Sequence, residues 1–153
     1  MKLKIAWIGK TKEAAIESLT NEYLKRLSRY GEVEGVSLKD EEALLVLSGR
    51  AVSGKGARPQ KKHALILLDP RGKQLSSEEL ATYLQHQQDR NPLPLLFAIG
   101  PADGFSEEAR KSSVMLLSLG KMIIAHELAR VVLLEQLYRA CTILKGHPYH
   151  LGH

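Results

Sequence analysis

Cysteine is nearly missing: Cys141 is the single one among 153 residues. That excludes an intramolecular disulfide and any zinc or iron–sulfur site built from several thiolates. No apolar run approaches the ~18–20 residues that span a bilayer, so no membrane partner is expected. Met1-Lys2-Leu3-Lys4-Ile5 lacks the apolar stretch and small-residue cleavage site of a signal peptide. No internal repeat or low-complexity tract is visible. At 17.0 kDa the chain has the size of one domain, residues 1–153, and buries enough surface to fold without a metal. These exclusions leave a soluble, cytoplasmic, single-domain protein as the expectation.

Charge is in excess of one sign. Lys and Arg number 22 against 17 Asp and Glu, a formal net charge of +5. Such a balance suits a polyanionic partner, because neutralising phosphates dominates nucleic-acid affinity.

Along the chain, short apolar runs alternate with helical patterns. Leu3 to Ile8 reads as a strand ended by Gly9. From Thr11 to Tyr30, Ile16, Leu19, Tyr23, Leu27 and Tyr30 recur at spacings of three and four, one face of a helix. Val33 to Leu38 reads as a strand, Asp40 to Leu47 as a short helix, and Ser48 to Lys62 as a basic loop. The run from Ala64 to Asp69 suits a strand buried on both faces, with Pro70-Arg71-Gly72 expected to turn the chain. Ser76 and Glu79 fit a capping box opening a helix to about Gln88. Leu93 to Ile99 and Val114 to Leu119 are two further strands, with Ser106-Glu107-Glu108 opening a short helix between them. A last helix runs from His126 to Leu144, stopped by Gly146 before a short tail, 146–153.

This alternation predicts an α/β domain with a mainly parallel sheet and helices on both faces. The last helix is apolar nearly all round, which predicts burial on every side. One side would face the sheet and the other a second copy, so a homodimer is expected, with Leu134 and Leu137 at its interface. From Tyr149 onward the tail holds no expected core residue.

Two motif-like stretches fail on chemistry. Gly49 to Gly56 has the G-x-x-x-x-G-K spacing of a phosphate-binding loop, but glycine stands where Ser or Thr should hold magnesium. His126-Glu127-Leu128-Ala129-Arg130 approaches the H-E-x-x-H zinc helix, but a permanent cation replaces the second ligand. No metal is expected. Nor does a G-x-G-x-x-G follow the first strand, which weakens an ordinary dinucleotide-type site.

Three C-terminal segments stand out together: Ile99 to Phe105, Ser118 to His126, and Leu134 to Ala140 followed by His147-Pro148-Tyr149-His150. The first two fall beyond strand ends, where open α/β sheets bind ligands. At these residues the chain resembles the RlmH family, SPOUT-class methyltransferases that act on 23S rRNA. The likeness extends to Asn21-Glu22-Tyr23, Lys25-Arg26-Leu27, Leu68-Asp69, Gly72-Lys73 and Ser76-Ser77-Glu78-Glu79. It is most specific in Arg130 to Ala140 and Pro148-Tyr149-His150.

The resemblance implies a trefoil-knotted SPOUT fold, a homodimer, and methyl transfer from S-adenosylmethionine to N3 of a pseudouridine in a stem-loop of ribosomal RNA. A net charge of only +5 gives weak affinity for isolated RNA, so recognition is expected within an assembled ribosome. It implies a cofactor site made by Leu68, Gly100, Pro101, Gly120, Lys121, Met122, Ile123, Ile124 and Ala125. It implies that Arg139, Tyr149 and His150 handle the target base, with tail and cofactor pocket drawn from different subunits. Four positions depart from the family pattern: Pro101, Gly120, Ile123 and Ala125. Proline offers no N–H, so that amide is lost to the cofactor.

The implied roles make chemical sense. N3–H of a pyrimidine is a weak acid, so a neutral imidazole such as His150 can take the proton. Arg139 can hold the charge that develops on the flanking carbonyls. Tyr149 offers a flat face for an unstacked base. Without the resemblance, Glu135 and Arg139 read equally as a plain i,i+4 ion pair, and Tyr149-His150 as a frayed end. His126, opening the last helix, reads equally as a hydrogen-bond acceptor toward the cofactor loop or the target and as a helix cap without chemistry. Glu127 and Arg130 are expected to serve structure or the dimer interface. Two alternatives stay open: a non-catalytic dimeric RNA- or ribosome-binding protein, and a SPOUT enzyme with another RNA target.

Overall fold

The computed structural model describes residues 1–50 and 60–150, with the His150 side chain outside the description. Five strands form one parallel sheet: β1 (Lys2–Ile8), β2 (Glu32–Leu38), β3 (Ala64–Gln74), β4 (Leu95–Ile99) and β5 (Met115–Ser118). Their order is β2-β1-β4-β3-β5. The helices are α1 (Ala14–Leu27), α2 (Glu41–Ser48), α3 (Ser77–Arg90), α4 (Glu107–Ser112) and α5 (His126–Lys145), followed by a 3-10 turn at Pro148–His150.

The central strands divide their side chains by parity, as strand geometry requires. Ile5, Ile66, Leu95, Phe97 and Ile99 face α1, α3 and α5, where Leu27, Leu84 and Leu133 complete a core. Ala6, Leu65, Leu67, Leu96 and Ala98 face α2 and α4, meeting Leu44, Leu45 and Ala109. Helices therefore cover both faces, as the alternation predicts.

Caps set the helix starts. Ser76 Oγ accepts from the Glu79 amide at 3.0 Å, and Glu79 Oε1 accepts from the Ser76 amide at 2.8 Å, completing the expected capping box. Asp40 Oδ1 accepts from the Ala43 amide at the start of α2. Helix α1 lacks a cap of its own. Instead Glu127, in the first turn of α5, accepts from the amides of Lys12 and Glu13 at 3.0 and 3.3 Å.

Three expectations need correction. The Pro70-Arg71-Gly72 turn is instead part of β3, which continues to Gln74 through a register shift between Leu68 and Lys73. Glycine permits this: a Cβ on Gly72 would come within 2.4 Å of the Leu116 carbonyl carbon. The first helix is shorter than its pattern, and Leu19 is 43% exposed rather than packed. Finally, Leu134 and Leu137 are fully buried within one chain. Helix α5 packs on the sheet between α1 and α3, which cover the residues assigned to an interface. Its outward apolar residues are Leu128, 54% exposed, and Val132, 38% exposed. The expected basic loop, Ser48 to Lys62, falls largely on residues 51–59, outside the described residues, and Ser48 itself ends α2.

Candidate active site

A cavity of about 560 Å³ opens where the buried half of β3 stops and beyond the carboxyl ends of β4 and β5. Leu68 and Asp69 supply the β3 side, the 100–104 loop the β4 side, and the 119–125 loop the β5 side. His126 and Ala129 close it from α5, and Arg110 from α4. The buried runs of β3, β4 and β5 stop together here: β3 continues past Asp69 as a mostly exposed extension, and glycine-containing loops follow β4 and β5. Of the residues named for a cofactor, Leu68, Gly100, Pro101, Gly120, Met122, Ile123, Ile124 and Ala125 line this one cavity. Lys121 does not; it is exposed outside the wall. Gly120 has φ +139, a backbone that a side chain would strain, and Ser118 Oγ ties the turn through the Gly120 amide and carbonyl.

Asp69 is the buried charge of the wall, 5% exposed. Its Oδ2 accepts from Arg110 Nε at 3.0 Å, and its Oδ1 from the Arg71 amide at 2.8 Å. Burial pushes this carboxyl up, but the hydrogen bonds from the Arg71 amide and the Arg110 guanidinium outweigh it. The group sits below its ordinary range. The sequence signals Asp69 as an acid ending an apolar run; nothing local signals Arg110.

A second constellation lies on the far half of α5. Glu135 Oε2 accepts from Arg139 Nη2 at 2.8 Å and from the Tyr149 hydroxyl at 2.9 Å. The Arg139 guanidinium stands 5.0 Å from the centre of the Tyr149 ring. Tyr149 meets Tyr138 edge-on at 4.7 Å, and Tyr138 in turn touches Tyr23 and Tyr30. Tyr30 shares a 2.6 Å hydrogen bond with His147 Nδ1. The end of the chain through Tyr149 is therefore anchored, contrary to the expectation of a tail without packing. Burial pushes the Tyr149 phenol up, and its hydrogen bond to Glu135 adds to this, so it stays protonated across the physiological range. Arg139 and Tyr149 come together as named. The backbone of His150 ends the 3-10 turn beside them.

Glu135 is thus a hub rather than half of a plain helix ion pair. The i,i+4 spacing of Glu135 to Arg139 is visible in the sequence; the tyrosine is not, because only tertiary folding returns Tyr149 to Glu135. Arg130 takes up the structural alternative: it is 2% exposed, lies 4.1 Å over the Trp7 ring, and donates to Thr11 and Thr20 hydroxyls.

A family model described as "Predicted SPOUT methyltransferase" matches residues 1–150. The ribosomal RNA large subunit methyltransferase H of Koribacter versatilis is 58% identical over 153 residues, covering 100% of both chains. The protein of the same name from Geotalea daltonii is 40% identical over 152 residues, 98% of this chain and 99% of that one. Among solved structures, the SpoU methyltransferase AviRb from Streptomyces viridochromogenes, in complex with AdoMet, superposes with a TM-score of 0.50 at 13% identity. It covers 95% of this chain, which spans 59% of that longer one. That last likeness is one of fold. With full-length identity to such relatives and a family match over nearly every residue, the chain belongs to the RlmH family of SPOUT methyltransferases.

Proposed function

We propose that this protein methylates large-subunit ribosomal RNA, taking the methyl group from S-adenosylmethionine and placing it on N3 of a pseudouridine in 23S rRNA. The observation that carries this reading is the cavity. Eight of the nine residues that the family resemblance implies for the cofactor, all but Lys121, meet in its wall. Its size is within the ~300–1,000 Å³ of small-molecule sites. Leu68, Ile99, Leu117 and Ile124 give an apolar surface suited to an adenosine, while the 100–104 and 119–125 loops bring backbone polar groups to its edge. Pro101 contributes no N–H, so hydrogen bonding at that turn falls to its neighbours. The chain's residues fit the cofactor.

When bound, S-adenosylmethionine supplies a methyl group on a positively charged sulfur, open to attack by a nucleophile. The chain's own residues prepare that nucleophile. Tyr149 presents its ring to the unstacked base, held in place by Glu135 and Tyr138. Arg139, fixed by the same carboxylate, sets its guanidinium against the pyrimidine carbonyls as negative charge grows there. His150 accepts the N3 proton.

The reading includes a homodimer. His126, in the cavity wall, and Arg139 are thirteen residues apart on α5, about 20 Å at ~1.5 Å per residue. No residue of the Glu135–Arg139–Tyr149 cluster lines the cavity of its own chain. A second copy brings one chain's cluster to the other's cavity. Met122, Ile123, Leu128 and Val132, the exposed apolar residues around the start of α5, supply surface for that contact. The family's trefoil knot belongs to the same proposal.

Titration calorimetry with S-adenosylmethionine tests the cavity. Binding is expected in the wild type and should be abolished by Gly120→Val, whose side chain strains the loop. Absence of wild-type binding at millimolar cofactor would overturn the enzymatic reading.

A further inference from the structure

A second cavity, about 350 Å³, adjoins the first. Arg71 and Lys73 from the extension of β3, Tyr83 and Gln87 from α3, and the edge strand β5 enclose it. Arg71 lines both cavities, so they meet at that side chain. No carboxylate lines the second one. Arg71 is 63% exposed at its side chain, and its Nε reaches Asp69 Oδ1 only at 3.4 Å. The better-placed Arg110 occupies the other oxygen of that carboxylate at 3.0 Å. Lys73 is exposed and in no ion pair among the described residues.

The local fold puts these cations there on purpose-built backbone. Gly72 lies so close to the Leu116 backbone that the extension of β3 is pressed onto β5. The two cations stand on either side of that contact. Tyr83 and Gln87, one turn apart on α3, add neutral donors; burial holds the Tyr83 phenol above its ordinary value and so protonated. The remaining wall is apolar, through Met115 and Leu116.

We infer that this groove is a substrate-RNA subsite, taking the phosphate and sugar of a nucleotide that flanks the target base. Arg71 and Lys73 hold the phosphate oxygens, and Tyr83 and Gln87 donate to sugar or base oxygens. Such backbone contacts fix the register of a strand without reading its sequence. Here they set the distance from the flanking phosphate to the neighbouring cavity, so the target base reaches the methyl group. The inference rests on the RNA-methyltransferase reading above.

The test is steady-state methylation of ribosomes isolated from a strain lacking this activity, comparing Lys73→Glu with wild type. KM for ribosomes is expected to rise roughly tenfold, the loss of one hydrogen bond between charged groups. The salt dependence of log KM should flatten by about one phosphate contact. S-adenosylmethionine affinity by calorimetry should not change, and Lys73→Arg should restore KM to within about threefold of wild type. Lys2→Glu, at the opposite end of the sheet, makes the same net-charge change and should leave KM nearly unaltered. An unchanged KM in Lys73→Glu, with an active wild type, overturns the subsite alone. An equal rise in Lys2→Glu overturns it in favour of general charge attraction. A wild type that neither binds nor methylates ribosomes overturns this inference and the RNA-methyltransferase reading together.

Discussion

Replacing Glu135 with alanine separates the role of the tail cluster from that of the proposed cofactor cavity. The carboxylate holds Arg139 at 2.8 Å and Tyr149 at 2.9 Å, in a site where the Arg139 and Glu135 side chains are 17% and 21% exposed. A half-buried ion pair on a helix contributes ~0.5 kcal/mol, and a hydrogen bond from a phenol to a carboxylate ~1.5 kcal/mol. Together the loss is about 2 kcal/mol, which lowers the melting temperature by roughly 4–8 °C for a domain of this length. Glu135→Gln keeps an acceptor for both donors and should lose about half as much. The functional loss is expected to be larger than the stability loss implies. A misplaced positioning group can cost ~10²-fold in rate, so single-turnover methylation by Glu135→Ala should fall by about that factor. Cofactor affinity should hold, because the cavity lies at the other end of α5. Thermal melts, calorimetry and single-turnover assays on the same preparation read all three quantities. Wild-type turnover in Glu135→Ala, or a matching loss of cofactor binding, would refute the role of the hub.

Leu134→Arg should unfold the chain rather than dissociate it, because that site is fully buried within one protomer; circular dichroism and gel filtration distinguish the outcomes. Leu128→Glu with Val132→Glu should instead yield a folded, inactive monomer, and an active dimer would contradict the proposed interface. Mixing a Gly120→Val chain with a Glu135→Ala chain should restore activity through heterodimers that keep one intact site; no recovery would argue against a site shared between copies. Asp69 has a folded pKa below its ordinary 3.8, so its stabilisation is complete above that value and is lost as pH falls through the lowered one. Thermal melts of Asp69→Asn should therefore depend less on pH below about 4 than those of wild type, and parallel curves would remove Asp69 from acid unfolding.

The sheet is legible because short apolar runs alternating with helical patterns leave few alternatives, three of them closed by Gly9, Gly100 and Gly120, and parity along β4 then assigns each side chain to a face. The capping box at Ser76 was equally local, needing only residues three apart. Gly72 reads as a turn residue in the sequence because its nearest neighbour in the fold, Leu116, is distant along the chain; a glycine forced by close approach looks the same as one forced by a turn. The placement of Leu134 and Leu137 at an interface fails for a related reason. An all-round apolar helix shows that every side is covered, but not whether α1 and α3 or a second chain covers it. The lining of the cavity was visible through family resemblance, whereas the Asp69–Arg110 pair and the return of Tyr149 to Glu135 depend on tertiary contacts that no spacing encodes.

The most direct test of methyl transfer to ribosomal RNA is mass spectrometry of 23S rRNA. Ribosomes from a strain lacking the activity are incubated with the protein and S-adenosylmethionine carrying an isotopically labelled methyl group. The labelled methyl is expected on N3 of one pseudouridine, and should be absent with Gly120→Val and strongly reduced with Glu135→Ala. Label on no ribosomal nucleotide, with cofactor binding intact, would contradict the proposed reaction.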